Sequence, residues 1–117
     1  MIHTVGHSNH PIERFLALLQ PHGITAVADV RSTPYSRFNP QFRRGIERLK
    51  AGMAEHQISI MCAEREPLEC HRTILVAREL VREGIGVTHI LGDGSLEPHD
   101  RAYDLHANRI AFVKKGA

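Results

Sequence analysis

The sequence predicts a single α/β domain, residues 1–117, whose largely parallel, Rossmann-like sheet is flanked by helices. Short apolar segments with strand character alternate along the chain with amphipathic segments that have helical spacing. No repeat or low-complexity segment interrupts this alternation, and 117 residues suit one domain with a modest core. Alternating strands and helices favour right-handed crossovers and therefore a parallel sheet.

The first strand and the first helix are indicated by residues 2–5 and by the prolines and glycines that follow. Residues 2–5 are a short apolar strand that ends at Gly6. Pro11 opens a helix at the position where proline is best tolerated, and Gly23 is a typical helix stop. The side chains predicted to face the core are Phe15, Leu16, Leu18 and Leu19.

The middle of the chain is predicted to form a strand, an irregular loop and a helix. Residues 24–30 have strand character, and residues 31–42 contain two prolines that favour a loop. Residues 43–56 are the second predicted helix. Its apolar positions are Ile46, Leu49 and Met53.

The second half contains two further strands around a third helix. The strands are predicted at residues 58–62 and 87–91, and the helix at residues 73–83, ended by Gly84. The apolar stripe of this helix is Ile74, Leu75, Ala77, Leu80 and Val81. Residues 92–94 are a predicted turn, and we expect a short helix near residues 102–108.

Four loops should meet at the carboxyl edge of such a sheet, where open α/β proteins bind ligands. They are residues 6–9, 31–37, 62–72 and 92–95. The polar clusters of the sequence fall in these loops. The sequence therefore predicts one site, at this edge.

The loop between the two cysteines is the most informative of the four. Cys62 closes a strand, and Cys70 stands beside His71 and Arg72 where a helix begins. Unpaired N–H groups and the helix dipole should make Cys70 more acidic than a free thiol and more reactive than Cys62. The same geometry suits a bound phosphate or carboxylate. Cys62 could equally be a small buried hydrophobe.

The loop after the first strand allows two compatible interpretations. Gly6 permits close approach to a ligand, and Ser8 or Asn9 offers donors, so that the loop with His7 could hold an anion. Serine and asparagine are also common helix caps, so the same residues could form only a turn and a cap.

The loop after the second strand is rich in donors that suit an anion. Asp29 stands near a strand end, where aspartate is disfavoured, and a structural salt bridge or a catalytic role would explain it. Arg31, Ser32 and Arg37 follow it as candidate ligand-binding residues.

Composition narrows the classes of partner and location. The net charge of +2 gives no strong signal for nucleic acid. No apolar run approaches the roughly 20 residues that span a membrane, and no secretory signal is visible. We expect a cytoplasmic protein with reduced thiols, although the two cysteines would permit a redox disulfide.

These motifs together resemble a known family. The Gly6-His7-Ser8 turn, Asp29-Val30-Arg31, residues 36–42, Cys62-Ala63-Glu64 and Cys70-His71-Arg72 resemble the domain of unknown function 488 family of bacterial and archaeal proteins. The resemblance implies an α/β fold with these motifs at one site, and implies little about function. The family has a longer segment after the Asn-Pro-Gln-Phe motif, so we predict that a loop between Phe42 and Arg43 is absent here.

A weaker resemblance is to rhodanese-like domains, in which a cysteine at the end of a strand is the nucleophile. It would give that role to Cys62. The loop here departs from that pattern, because it is longer, lacks glycine and carries Glu64, Glu66 and Glu69, which would repel an anionic substrate.

The leading functional hypothesis is an enzyme that acts on a small anionic or nucleotide-like ligand without a cofactor. Arg31 and Arg72 would bind the anion, Cys70 would be the reactive thiol, and His71 or His7 would move protons. One alternative is a non-catalytic ligand-sensing module. Another is a structural zinc protein, whose ligands could come from Cys62, Cys70, His71 and His7.

Overall fold

The computed structural model describes residues 1–7, 9–31, 38–64 and 70–99, which form one five-stranded sheet flanked by helices. The strands are β1 (Ile2–Gly6), β2 (Ala26–Asp29), β3 (Ile58–Cys62), β4 (Val87–Ile90) and β5 (Leu96–Pro98). Their order across the sheet is β2-β3-β1-β4-β5, and all neighbours are parallel except β4 and β5. The predicted single α/β domain with a largely parallel sheet is confirmed.

Three α-helices in the described part of the chain cover the two faces of the sheet. They are α1 (Ile12–Leu19), α2 (Pro40–Gly52) and α3 (His71–Arg82), and a 3-10 turn (Gln20–His22) extends α1. Helix α1 connects β1 to β2, towards one edge of the sheet. Helices α2 and α3 connect β2 to β3 and β3 to β4, in the opposite direction across the sheet. Right-handed crossovers therefore place α1 on one face and the other two helices on the other.

Two hydrophobic clusters confirm this division of the core. The cluster on the α1 face joins Phe15 and Leu18 of α1 to Val5 and Ile90 of the sheet. The larger cluster lies between the opposite face of the sheet and helices α2 and α3. Its members are Ile2, Val30, Phe42, Ile46, Leu49, Ile58, Ile60, Cys62, Cys70, Val76, Ala77, Leu80 and Val87. Both cysteines therefore belong to the α2/α3 face.

Helix α2 begins earlier than the sequence predicts. The expected loop over residues 31–42 is wrong at its end, because residues 40–42 are helical. The Asn39 side chain accepts a hydrogen bond from the backbone N–H of Gln41 at 2.8 Å, and Pro40 takes the first helical position. Helix α2 then runs through Phe42 and Arg43 without interruption and ends at Gly52 rather than at residue 56. The prediction of a missing loop between Phe42 and Arg43 stays a prediction.

Two predicted core positions are exposed. Leu16 is 43% exposed and Val81 is 37% exposed, whereas Val76, absent from the predicted stripe, is buried. In α3 the side of the helix that meets the sheet is centred on Thr73, Ala77 and Leu80. Apolar spacing alone could not separate this side from the adjacent one.

The fifth strand is missing from the sequence prediction. β5 pairs antiparallel with β4 after a turn in which Gly94 has a φ of 89°. All three residues of β5 are exposed, so that the strand has no alternation of apolar and polar side chains to reveal it.

The other boundaries agree closely with the sequence prediction. β3 is placed as predicted, β2 and β4 are shorter, and α3 begins two residues earlier. Gly23 and Gly84 have the positive φ angles expected after helices. The helix expected at residues 102–108 lies outside the described residues. No helix in the described part is long and apolar enough to cross a membrane.

Candidate functional site

The carboxyl ends of β1, β2 and β3 lie at one edge of the sheet because the three strands are parallel. Gly6 at the end of β1 is in register with Cys62 at the end of β3. The backbone N–H of His7 donates a hydrogen bond to the carbonyl of Cys62 at 2.8 Å. This contact holds the end of the cysteine strand against its neighbour.

The two cysteines approach each other from opposite ends of the loop that separates them. Cys62 is the last residue of β3 and is fully buried, and Cys70 is the N-cap of α3 and is 7% exposed. Both are free thiols in the cluster between the sheet and α2/α3, and their side chains are close enough to interact. The predicted position of Cys70 at the start of a helix is confirmed.

The surroundings of the two thiols favour a proton on Cys62 and a negative charge on Cys70. The hydrogen bond from Cys62 is the largest cause that lowers the pKa of Cys70, and the Thr73 side chain and the N–H groups of Thr73 and Arg72 act in the same direction, against the effect of burial. The same interaction with Cys70, together with burial, raises the pKa of Cys62. The Cys62 sulfur also lies 3.7 Å from the carbonyl oxygen of Glu64. Cys70 forms no side-chain capping bond of normal geometry at the start of α3.

Thr73 is the site residue that sequence reasoning missed. It lies one turn into α3, is fully buried, and its hydroxyl makes no hydrogen bond of normal geometry. It is nevertheless close enough to lower the pKa of both cysteines. The sequence signal for Thr73 was a hydroxyl three positions after Cys70, because a side chain at that spacing lies near the N-cap residue of a helix.

A second group of polar residues lies at the same edge, around Asp29. Arg31 binds Asp29 through paired hydrogen bonds, the shortest 2.7 Å, and its backbone N–H also donates to that carboxylate. This hydrogen bonding lowers the pKa of Asp29 and raises that of Arg31, and the charge of nearby His7 also lowers the pKa of Asp29. The structural salt bridge that the sequence offered as one explanation of Asp29 is present, and both side chains are about half exposed.

The two groups lie towards different faces of the sheet. The His7 ring packs edge-on against Phe15 of α1, with ring centroids 5.2 Å apart. Cys62 and Cys70 pack instead on the α2/α3 face. The hypothesis that His7 serves the cysteines through its side chain therefore stays a prediction.

The remaining predicted residues are only partly described. Arg72 lies half-buried in the first turn of α3, and His71 begins that helix, although its side chain is outside the described part. Ser8, Ser32 and Arg37 lie outside the described residues. Their proposed part in ligand binding stays a prediction.

Two further observations bear on ligands. Among the described residues, no three His, Cys, Asp or Glu side chains lie close enough to hold a metal ion, which gives the zinc alternative no support there. A groove of about 320 Å³ lies between β2 and α2 and extends to Asp29 and Val30 at the carboxyl edge. Its walls are mostly apolar, with Gln41 and Arg48 among the lining residues.

A buried chain of hydrogen bonds links β1, β4 and the residue that follows β5, away from β2 and β3. Thr4 Oγ1 bonds His89 Nδ1 at 2.6 Å, and His89 Nε2 bonds His99 Nδ1 at 2.8 Å. Burial, and then the nearby His99, lower the pKa of His89 to about 3. Sequence reasoning missed this network, because its members come from β1, β4 and the residue after β5.

The fold and the site define an α/β protein with a buried cysteine pair at the carboxyl edge of a mostly parallel sheet. The model of one family, Domain of unknown function DUF488, matches residues 11–46 and 40–78, which together make up more than half of the chain. The chain belongs to this DUF488 family, as its motifs predicted. The two matched segments meet within α2. No curated protein and no solved structure gave a match.

Proposed function

We propose that the protein is a cysteine-dependent enzyme that acts on a small anionic substrate, with Cys70 as its nucleophile. One observation carries the proposal: Cys70 caps the twelve-residue helix α3 next to a second thiol, and that thiol lowers the pKa of Cys70. A lowered pKa increases the fraction of thiolate at neutral pH, and the thiolate is the nucleophilic form.

The chemistry is that of a covalent intermediate. The Cys70 sulfur attacks the electrophilic atom of the substrate, and the leaving group departs with the electron pair of the broken bond. A second nucleophile then releases the bound group from sulfur. Water in this role makes the enzyme a hydrolase, and another acceptor makes it a transferase. His71, which follows Cys70 in the chain, is the candidate to move protons.

Arg72 is the first candidate to bind the anionic group. It lies in the first turn of α3, the end at which the helix dipole disfavours a cation and favours an anion. Arg31 is already bound to Asp29 through paired hydrogen bonds, so a ligand would have to compete with that carboxylate. Arg72 is placed first because of its position at the start of α3.

The burial of both cysteines favours a second candidate function. Cys62 is fully buried and Cys70 is 7% exposed, so a substrate must reach a thiol with little open surface. In a non-catalytic ligand-sensing module the same edge would bind an anion without any reaction at sulfur.

The test uses two anionic electrophiles and one inert anion. Wild-type protein is incubated with thiosulfate or with p-nitrophenyl phosphate, and the intact mass is measured after acid quenching. We expect a covalent adduct on wild type with at least one electrophile and none on Cys70→Ser. Inorganic phosphate should raise the melting temperature of wild type, and Arg72→Gln should abolish that rise. Arg82→Gln is the matched control, since Arg82 lies at the other end of the same helix.

The outcomes separate the two candidates. An adduct that requires Cys70 supports the enzyme. A phosphate shift that depends on Arg72, without an adduct, supports the ligand-sensing module. The absence of both contradicts the proposed function, and an adduct on Cys62 alone moves the nucleophile to the position that the rhodanese-like resemblance implies.

A further inference from the structure

We propose that Cys62 and Cys70 are a thiol–disulfide exchange pair, in which Cys70 attacks a small-molecule disulfide and Cys62 resolves the adduct as an internal disulfide. The inference goes beyond the proposed function, because it adds a role for Cys62 and a second class of substrate. It shares with that function only the nucleophilic Cys70.

The first argument is the way in which the fold brings the thiols together. One comes from the end of a central parallel strand and the other from the N-cap of the following helix, and their side chains interact in the same cluster. The strand end is held by the His7–Cys62 backbone hydrogen bond, and the helix start by the bond from Ile74 N–H to the Cys70 carbonyl. The fold therefore brings two free thiols, each on an anchored element, into one buried cluster.

The second argument is that the two sulfurs differ in exposure and in position. A disulfide-exchanging pair needs one thiolate that attacks and one protected thiol that follows. Cys70 lies at the N-terminus of α3 and is 7% exposed, whereas Cys62 is fully buried at the end of β3. The lowered pKa of Cys70 agrees with these positions.

Thr73 supplies an independent observation. Its fully buried hydroxyl lies beside the pair without a hydrogen bond of normal geometry. A buried hydroxyl without a partner costs free energy, so its presence beside the two thiols calls for an explanation. During exchange the hydroxyl can donate a hydrogen bond to a thiolate at either sulfur.

The exchange balances in two steps. The Cys70 thiolate attacks one sulfur of the disulfide, the S–S bond breaks, and one thiolate leaves and takes a proton from water. Cys62 then loses its proton to water, and its sulfur attacks Cys70 Sγ, so that the mixed disulfide breaks and the second thiolate leaves. The two cysteines are oxidised by two electrons, and the small disulfide is reduced to two thiols.

The experiment is a titration of the wild-type protein with mixtures of glutathione and glutathione disulfide, followed by acid quenching, alkylation and intact mass. We expect wild type to lose both alkylatable thiols together and to lose the mass of two hydrogen atoms, without retained glutathione. Cys62→Ser should retain one glutathione on Cys70, and Cys70→Ser should retain none. Peptide mapping identifies the linked residues, and non-reducing gels exclude a bond between two chains.

Wild-type protein alone decides the inference, even if a variant fails to fold. Wild type that retains glutathione, remains a dithiol at every ratio, or forms disulfides only between chains overturns it. If Cys62→Ser then still takes glutathione on Cys70, the nucleophile of the proposed function survives while the resolving role fails. If wild type forms the internal disulfide but no adduct with thiosulfate or p-nitrophenyl phosphate, the exchange pair is supported and the proposed enzyme activity is not.

Discussion

At the scale of single residues, the neighbouring thiol is the largest cause of the acidity of Cys70. Removal of that thiol in Cys62→Ala should therefore raise the pKa of Cys70 towards the ordinary range of a cysteine. The measurement is the ultraviolet absorbance of the thiolate as a function of pH, which does not depend on access of a reagent to the buried sulfur.

Cys62→Ser is the matched control for this change, because the serine hydroxyl can still donate to the Cys70 sulfur. It should give a pKa between those of wild type and Cys62→Ala. An unchanged titration midpoint in Cys62→Ala would show that the helix N-terminus and Thr73 are sufficient and that the thiol contact contributes little.

At the scale of elements, the start of α2 depends on one side chain. Asn39 accepts the Gln41 N–H, which otherwise has no partner within the helix. Asn39→Ala should therefore lower the free energy of unfolding by about 1 kcal/mol. Equilibrium unfolding in urea measures the change.

Asn39→Asp provides the comparison at the same position, since a carboxylate also accepts the capping bond and interacts favourably with the helix N-terminus. It should retain wild-type stability or slightly exceed it. A loss in Asn39→Asp as large as that in Asn39→Ala would mean that the cap is not the source of the effect.

At the scale of the whole molecule, a buried histidine links stability to pH. The pKa of His89 is lowered to about 3 from its ordinary 6.5 because burial disfavours the charged ring. Between these values the unfolded chain binds a proton that the native protein does not, so the free energy of unfolding falls as the pH falls. From about pH 7 to about pH 4.5 this one residue should remove about 3 kcal/mol.

Melting temperatures of wild type and His89→Gln across this pH range test the linkage. The variant should be less stable than wild type near neutral pH, since it disturbs the bonds to Thr4 and His99, yet it should lose less stability on acidification. His56→Gln is the matched control for removal of a histidine, at an exposed position. Equal slopes in wild type and His89→Gln would refute the assignment to His89.

The sequence by itself determined the alternation of strands and helices, the start of α3 at the second cysteine and the Gly94 turn, because these depend on neighbours within a few residues. It also predicted a site at the carboxyl edge, which stays a prediction. Only the tertiary structure decided that β3 lies between β2 and β1, that Cys62 faces α3 while the His7 ring faces α1, and that β5 joins the sheet. Strand order and facing side follow from crossovers and packing between distant segments, which local patterns of residues do not encode.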